Sequence, residues 1–125
     1  MAETGSVTRP VVLVVEDEWL VRFHAVEMIE EAGFTALEAA NADEAVAILE
    51  TRNDISVMFT DIDMPGSMDG LKLARAVRNR WPPVKIIVTS GHRMASADDL
   101  PEGGRFFGKP YDVHEVTRTM RQLIA

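Results

Sequence analysis

The chain contains no cysteine. That excludes a disulfide framework and a thiolate zinc site, and it fits a reducing cytoplasm, the expected location. No apolar run approaches the roughly 20 residues needed to cross a bilayer. Met1 to Arg9 is small and polar and lacks the apolar middle of a secretion signal. Residues 1–9 are therefore expected to be a flexible tail ahead of a single domain over 10–125. An excess of positive charge is missing too: 13 Lys and Arg face 20 Asp and Glu, for a net charge of -7. Nucleic-acid binding draws on clustered cations that displace counterions from phosphates. These cations are scattered, so neither direct nucleic-acid binding nor membrane association is expected. Arg75, Arg78 and Arg80 do lie close together, and on a helical pattern they predict a solvated face. No internal repeat or low-complexity segment is present.

What the chain does have is an alternation of strand-like and helix-like stretches. Val11–Val15 is an unbroken β-branched run, the pattern of a strand buried on both faces. Trp19 to Ala32 follows with Leu20, Phe23, Val26 and Ile29 near helical spacing, and Gly33 is a natural stop. Phe34–Ala39 predicts a second strand. Asn41 to Glu44 reads as a capping box opening a helix to about Arg52, with the Asn accepting from the third helical amide and the Glu reaching back. Ile55–Thr60 is a third strand and Asp61–Met68 a loop. Asp69 caps a helix to Arg80 that Trp81-Pro82-Pro83 ends. Val84–Thr89 and Arg105–Phe107 supply the fourth and fifth strands. Asp112 to Glu115 is a second capping box opening the last helix to Leu123. Repeated βα units imply an α/β fold with a parallel sheet covered on both sides. Gly91 to Gly104 departs from the pattern: it leaves room for one or two turns of helix at most.

Glu16, Asp17, Asp61 and Lys109 each follow an apolar strand-like run. In open α/β sheets, sites form beyond the carboxyl ends of strands where the strand order reverses. With order 2-1-3-4-5 the three acids share one pocket between the first and third strands. Two carboxylates about 4 Å apart repel by about 4 kcal/mol at an effective dielectric of 20, so a proton or a cation must relieve them. Mg²⁺ suits them best, since it prefers oxygen ligands and commonly takes one or two carboxylates plus a phosphate. Asp61, held by a buried strand, is the candidate nucleophile toward phosphorus, forming an aspartyl phosphate. Asp63, two residues into the loop, is assigned a backbone role. Lys109 supplies a compact positive charge for a phosphoryl oxygen, and Thr89 a hydroxyl donor. His24, His92 and His114 share no spacing that would make a metal site, and the methionines are expected in the core.

These residues, with Val14 to Glu18, Asp61 to Gly66, Met68-Asp69-Gly70, Val88-Thr89-Ser90 and Lys109-Pro110 in order, resemble the receiver domain of two-component response regulators. The resemblance spans about Pro10 to Ile124. It implies a flavodoxin-like doubly wound five-stranded sheet, order 2-1-3-4-5, with a shortened or mobile fourth helix between the last two strands. It implies that Asp61 accepts a phosphoryl group from a phosphohistidine. Asp17 would bind Mg²⁺ directly, Glu16 mostly through water, and the Asp63 carbonyl would complete the protein ligands. Thr89 and Lys109 would hold the phosphoryl group, with Thr89 and Phe106 as switch residues and a cis Lys109-Pro110 bond. Implied partners are a sensor histidine kinase or a histidine-phosphotransfer protein and a downstream protein, with a homodimer left open. Since the chain ends after the last expected helix, a stand-alone switch or relay without an output domain is expected, catalysing only its own phosphorylation and dephosphorylation. Three departures stand out: Glu16 where Asp is commoner, the extra charge of Asp63, and the shortened fourth-helix region. Two other readings remain: a haloacid-dehalogenase-like phosphatase using Asp61 and Asp63, and a pseudo-receiver that only docks partners.

Overall fold

The computed structural model describes residues 9–66, 68–91 and 99–125. In chain order these form β1 (Val11–Val15), α1 (Trp19–Glu31), β2 (Thr35–Ala39), α2 (Ala42–Thr51), β3 (Ile55–Asp61), α3 (Gly70–Arg80), β4 (Lys85–Ser90), β5 (Arg105–Gly108) and α4 (Val113–Ile124). The strands make one five-stranded sheet in the order β2-β1-β3-β4-β5, and every neighbouring pair is parallel. This is the doubly wound order that the receiver-domain resemblance implies. The chain leaves β1 to one side for β2 and returns on the other side for β3, which opens a crevice at the carboxyl ends of β1 and β3.

All five residues of β1 are buried, because helices cover both faces of the sheet. The period of two along a strand divides the core. Val11, Leu13 and Val15 join Leu49, Leu73 and Val77 on the side of α2 and α3. Val12 and Val14 join Ile29, Val116 and Met120 on the side of α1 and α4. Met28, Met58 and Met120 are core residues, as the sequence suggests.

The helix starts follow their capping chemistry. The Glu44 amide donates to Asn41 Oδ1 at 2.9 Å. The Glu44 carboxylate reaches back one residue further than a capping box requires and accepts from the Ala40 amide at 2.7 Å. Asp69 Oδ1 accepts from the Lys72 amide at 3.0 Å. Asp112 Oδ1 accepts from the amides of His114 and Glu115 at 2.8 and 3.1 Å. Each satisfies amides that a first helical turn leaves without a partner.

Two expectations need correction or limits. The Arg75–Arg80 face is exposed but not merely solvated. Arg75 donates to the Asp99 carbonyl at 3.0 Å and Arg78 to the Glu102 carbonyl at 3.2 Å, so α3 holds the segment that leads into β5. Arg80 meets Glu50 at 2.9 Å and stacks on Trp81. The expected short fourth helix falls largely on residues 92–98, and it lies outside the described residues, as do His92 and residues 1–8 of the expected tail. What is described next to it is a turn in which the Gly104 amide donates to the Pro101 carbonyl at 2.9 Å. Among the described residues no helix is long and apolar enough to cross a membrane.

Candidate functional site

The carboxyl ends of β1 and β3 place the acids. Asp61 is the last residue of β3 itself, one step inside the strand end expected for it. It is buried, as is Glu16 just past β1, whereas Asp17 is exposed. Carboxylate oxygens of Glu16, Asp17 and Asp61 all lie within 4.8 Å of one another. Among the described residues this is the one group of three or more potential metal ligands. Neither His24 nor His114 belongs to it; both are exposed.

Lys109 reaches the same point from β5. Its amide donates to the Ser90 carbonyl at 2.9 Å, which extends the β4–β5 ladder one residue past β5. Its ammonium then lies 3.0 Å from Glu16 Oε1 and 3.2 Å from Asp61 Oδ1. The Lys109-Pro110 bond is cis. The alignment with Asp61 is that of an ion pair rather than a hydrogen bond, and Asp61 Oδ1 is a buried oxygen without a hydrogen-bond donor among the described residues. Buried acceptors are nearly always satisfied, so such an atom signals a missing ligand or a reactive group.

A cavity of about 210 Å³ opens over these groups, lined by Glu16, Asp17, Asp61, Asp63, Gly91 and Lys109 among others. Thr89 sits beside Asp61 in the β3–β4 register. It borders a separate void of about 10 Å³ together with Asp61, Lys109 and Tyr111. Phe106 lies outside the cavity lining, half-buried against the core on the α2–α3 side. The structure therefore gathers Glu16, Asp17, Asp61, Asp63 and Lys109 into one cavity, sets Thr89 next to it, and leaves Phe106 at a distance through β5.

The electrostatics follow from crowding. Burial, above all, raises the Asp61 carboxyl above the usual carboxylate range; Lys109 opposes this, and the charges of Asp63 and Asp17 add to it. Glu16 is raised mainly by burial, with the Lys109 hydrogen bond opposing and the Asp61 charge adding. Burial on its own would lower the Lys109 ammonium, but Glu16 and Asp61 together outweigh it and raise the pKa. Two or three carboxylates around a single ammonium leave negative charge uncompensated. An all-oxygen donor set with a buried oxygen lacking a donor suits a hard divalent cation.

Three features escaped the sequence reading. Gly70 packs its backbone against the end of β3: its amide donates to the Ile62 carbonyl at 2.9 Å, and a Cβ there would collide with the Asp61 carbonyl oxygen and lie 2.7 Å from its carbon. The Met68-Asp69-Gly70 sequence holds that signal, since glycine next to a capping residue marks close backbone approach. Ser90 donates to Asp63 Oδ2 at 2.8 Å. Arg22 hydrogen bonds the Glu16 carbonyl at 2.8 Å. The cap residue of α1 is Glu18, which makes no side-chain cap hydrogen bond and whose amide donates to Glu16 Oε2 at 3.3 Å.

The response regulator receiver domain family matches residues 12–120. The sensor kinase CckA of Brucella abortus is 34% identical over 97% of this chain, and the chain spans 13% of that protein's length. A response regulator receiver protein from Pseudomonas putida superposes with a TM-score of 0.82 at 30% identity, covering 93% of this chain and 98% of that one. The response regulator TrrA from Thermotoga maritima, in complex with Mg²⁺ and BeF, shares the fold with a TM-score of 0.79 at 24% identity, covering 93% and 99% of the two chains.

Proposed function

The chain belongs to the response regulator receiver domain family, and from that premise we propose that it is a phosphorylation-dependent switch or phosphorelay intermediate in which Asp61 accepts a phosphoryl group from a phosphohistidine. One observation carries the proposal: the buried Asp61 carboxylate has an oxygen without a donor, 3.2 Å from the Lys109 ammonium and within 4.8 Å of Glu16 and Asp17 oxygens. In the transfer, an Asp61 oxygen attacks phosphorus and the phosphorus–nitrogen bond breaks. The electron pair goes to the imidazole nitrogen, and an acyl phosphate forms on Asp61. Such a reaction needs positioning and neutralisation of charge more than proton chemistry. Lys109 takes one phosphoryl oxygen as a point charge, and the Thr89 hydroxyl donates to another.

Glu16, Asp17, Asp61 and the Asp63 carbonyl are assigned to hold Mg²⁺. The bound cation would neutralise the charge shared by the carboxylates and the incoming phosphoryl oxygens. Phosphorylation then biases a two-state loop set, drawing Thr89 toward the phosphoryl group and repositioning Phe106. The donor is a sensor histidine kinase or a histidine-phosphotransfer protein, the setting is cytoplasmic, and the chemistry is confined to the protein's own phosphorylation and dephosphorylation. The phosphatase alternative requires Asp63 to give up a proton as general acid. Its Oδ2 instead accepts a hydrogen bond from the Ser90 hydroxyl at 2.8 Å, which ties it to β4.

The test is phosphotransfer from a panel of phosphorylated histidine kinases, read by mass spectrometry, with Asp61→Asn as control. A phosphoryl adduct on the wild type that is absent from the variant supports the proposal. No adduct with any donor or with acetyl phosphate and Mg²⁺ would favour a docking-only role and overturn it.

A further inference from the structure

We infer that Arg22 is a positioning residue for the cation site, acting through the backbone of Glu16; the inference rests on the metal-site reading above. Arg22 lies in the first turn of α1, its amide donating to the Glu18 carbonyl at 2.9 Å. Its guanidinium turns back toward β1. Nη1 donates to the Glu16 carbonyl at 2.8 Å, and Nε donates to Glu38 Oε1 at 3.0 Å. Glu38 stands on β2 in register with Val14 of β1. The arginine fork is thus tied at both prongs, one of them to the peptide that joins the two acids.

That peptide is the relevant one because it is planar and rigid. Fixing the Glu16 carbonyl fixes the plane from the Glu16 Cα to the Asp17 Cα, which leaves the Asp17 φ as the one backbone torsion between that plane and the Asp17 side chain. The other face of Glu16 is held as well: its amide donates to the Ala39 carbonyl at 3.0 Å. The exposed Asp17 has no side-chain anchor of its own among the described hydrogen bonds, so its place in the cluster is inherited from this clamp. A planar guanidinium with a fixed fork can hold a carbonyl and a carboxylate together, which a lysine ammonium on a flexible stem does less well.

Charge and geometry make opposite predictions here. As a cation near the acids, Arg22 repels a divalent ion, so removing it should tighten binding. As a clamp, its removal should weaken binding, and should weaken it more for Mg²⁺, which demands near-octahedral geometry, than for Ca²⁺, which tolerates an irregular shell.

The experiment titrates Mg²⁺ and Ca²⁺ separately into the full chain by calorimetry, for wild type, Arg22→Met, Arg22→Lys and Glu38→Gln. Trp19, 68% exposed and two residues beyond Asp17, gives a fluorescence readout in parallel. Removing an outer-shell partner of a metal ligand costs about 10–100-fold in affinity. Arg22→Met is expected at the lower end of that range, about tenfold for Mg²⁺ with a smaller loss for Ca²⁺, and Arg22→Lys in between. Equal or tighter Mg²⁺ binding by Arg22→Met overturns the inference, as does an equal loss for both ions. Should Arg22→Met not fold, the exposed Glu38→Gln carries the test: an unchanged ratio of Mg²⁺ to Ca²⁺ affinity overturns the clamp. A wild type that binds neither ion is a different failure; it removes the metal-site reading itself, and this inference with it.

Discussion

Glu16 Oε1 and Lys109 Nζ meet at 3.0 Å across 93 positions of sequence. The same ammonium stands 3.2 Å from Asp61 Oδ1, so a single cation serves two buried acids. A buried ion pair adds little over apolar packing, but removing one partner leaves the other charge stranded. Lys109→Met keeps the stem and deletes the charge. In metal-free buffer it is expected to lose about 2 kcal/mol, below the usual cost for a fully buried pair because Lys109 is partly exposed. Urea unfolding checks this. Adding Asp61→Asn to Lys109→Met should recover more than Asp61→Asn gains on its own, and a strictly additive pair would show that the two side chains do not interact.

The raised Asp61 carboxyl gives a pH dependence with a definite sign. An acid whose folded pKa lies above its unfolded one makes the folded protein bind protons more readily. Its contribution to stability is present below the ordinary carboxylate range and is lost as pH rises through the raised value. At neutral pH the ionised Asp61 is thus a liability to the metal-free fold. Asp61→Asn is expected to stabilise the metal-free protein by about 1–2 kcal/mol near pH 7, with the gain shrinking toward pH 4. Comparing variant and wild type at each pH cancels the titration of acids that do not interact with Asp61, which leaves Glu16 as the one neighbour raised by its charge. A gain independent of pH would place its origin elsewhere.

The contrast between what the sequence disclosed and what it hid has a physical basis. β1 was legible because an unbroken β-branched run has one stable home, a strand covered on both faces. The acid cluster was legible because strand ends in a parallel sheet share one edge, so two separate stretches converge without any knowledge of side-chain paths. Helix starts were legible because a cap is local. Arg22, Arg75 and Arg78 were not. A long side chain with several torsions can reach many acceptors, and spacing does not say that Arg22 folds back on Glu16 or that Arg75 and Arg78 reach across to the carbonyls of Asp99 and Glu102. Gly70 follows a capping residue in the sequence and so marks a helix start, but its contact with the Asp61 backbone arises only once the loop after β3 closes.

Mg²⁺ should stabilise the wild type by mass action. At a concentration one hundred times the dissociation constant the gain is about 2.7 kcal/mol. For a chain of this length that corresponds to roughly 10 °C in Tm. Asp17 is the exposed member of the cluster, so Asp17→Asn should leave the metal-free Tm nearly unchanged while removing most of the Mg²⁺-induced rise. Thermal melts with and without Mg²⁺, and with an equal ionic strength of Na⁺, separate specific binding from screening. A rise that survives Asp17→Asn would move the cation site away from this cluster.

Gly70→Ala tests whether the end of β3 depends on close backbone contact. Alanine is a better helix former than glycine, so in an open helix start this change would be neutral or favourable. Here the added Cβ would run into the Asp61 carbonyl oxygen, with the Ile62 Cα 2.8 Å away. Backbone atoms on both sides leave no flexible side chain to yield, so either the first turn of α3 or the end of β3 must move. A loss of about 3 kcal/mol is expected, at the upper end for one added methyl group in a packed site. Because the displaced backbone carries the proposed phosphoacceptor, phosphorylation of Asp61 should slow even at temperatures where the variant is fully folded. Circular dichroism with phosphotransfer on the same sample checks both. Normal transfer in a destabilised variant would mean that α3 gives way and the end of β3 stays in place.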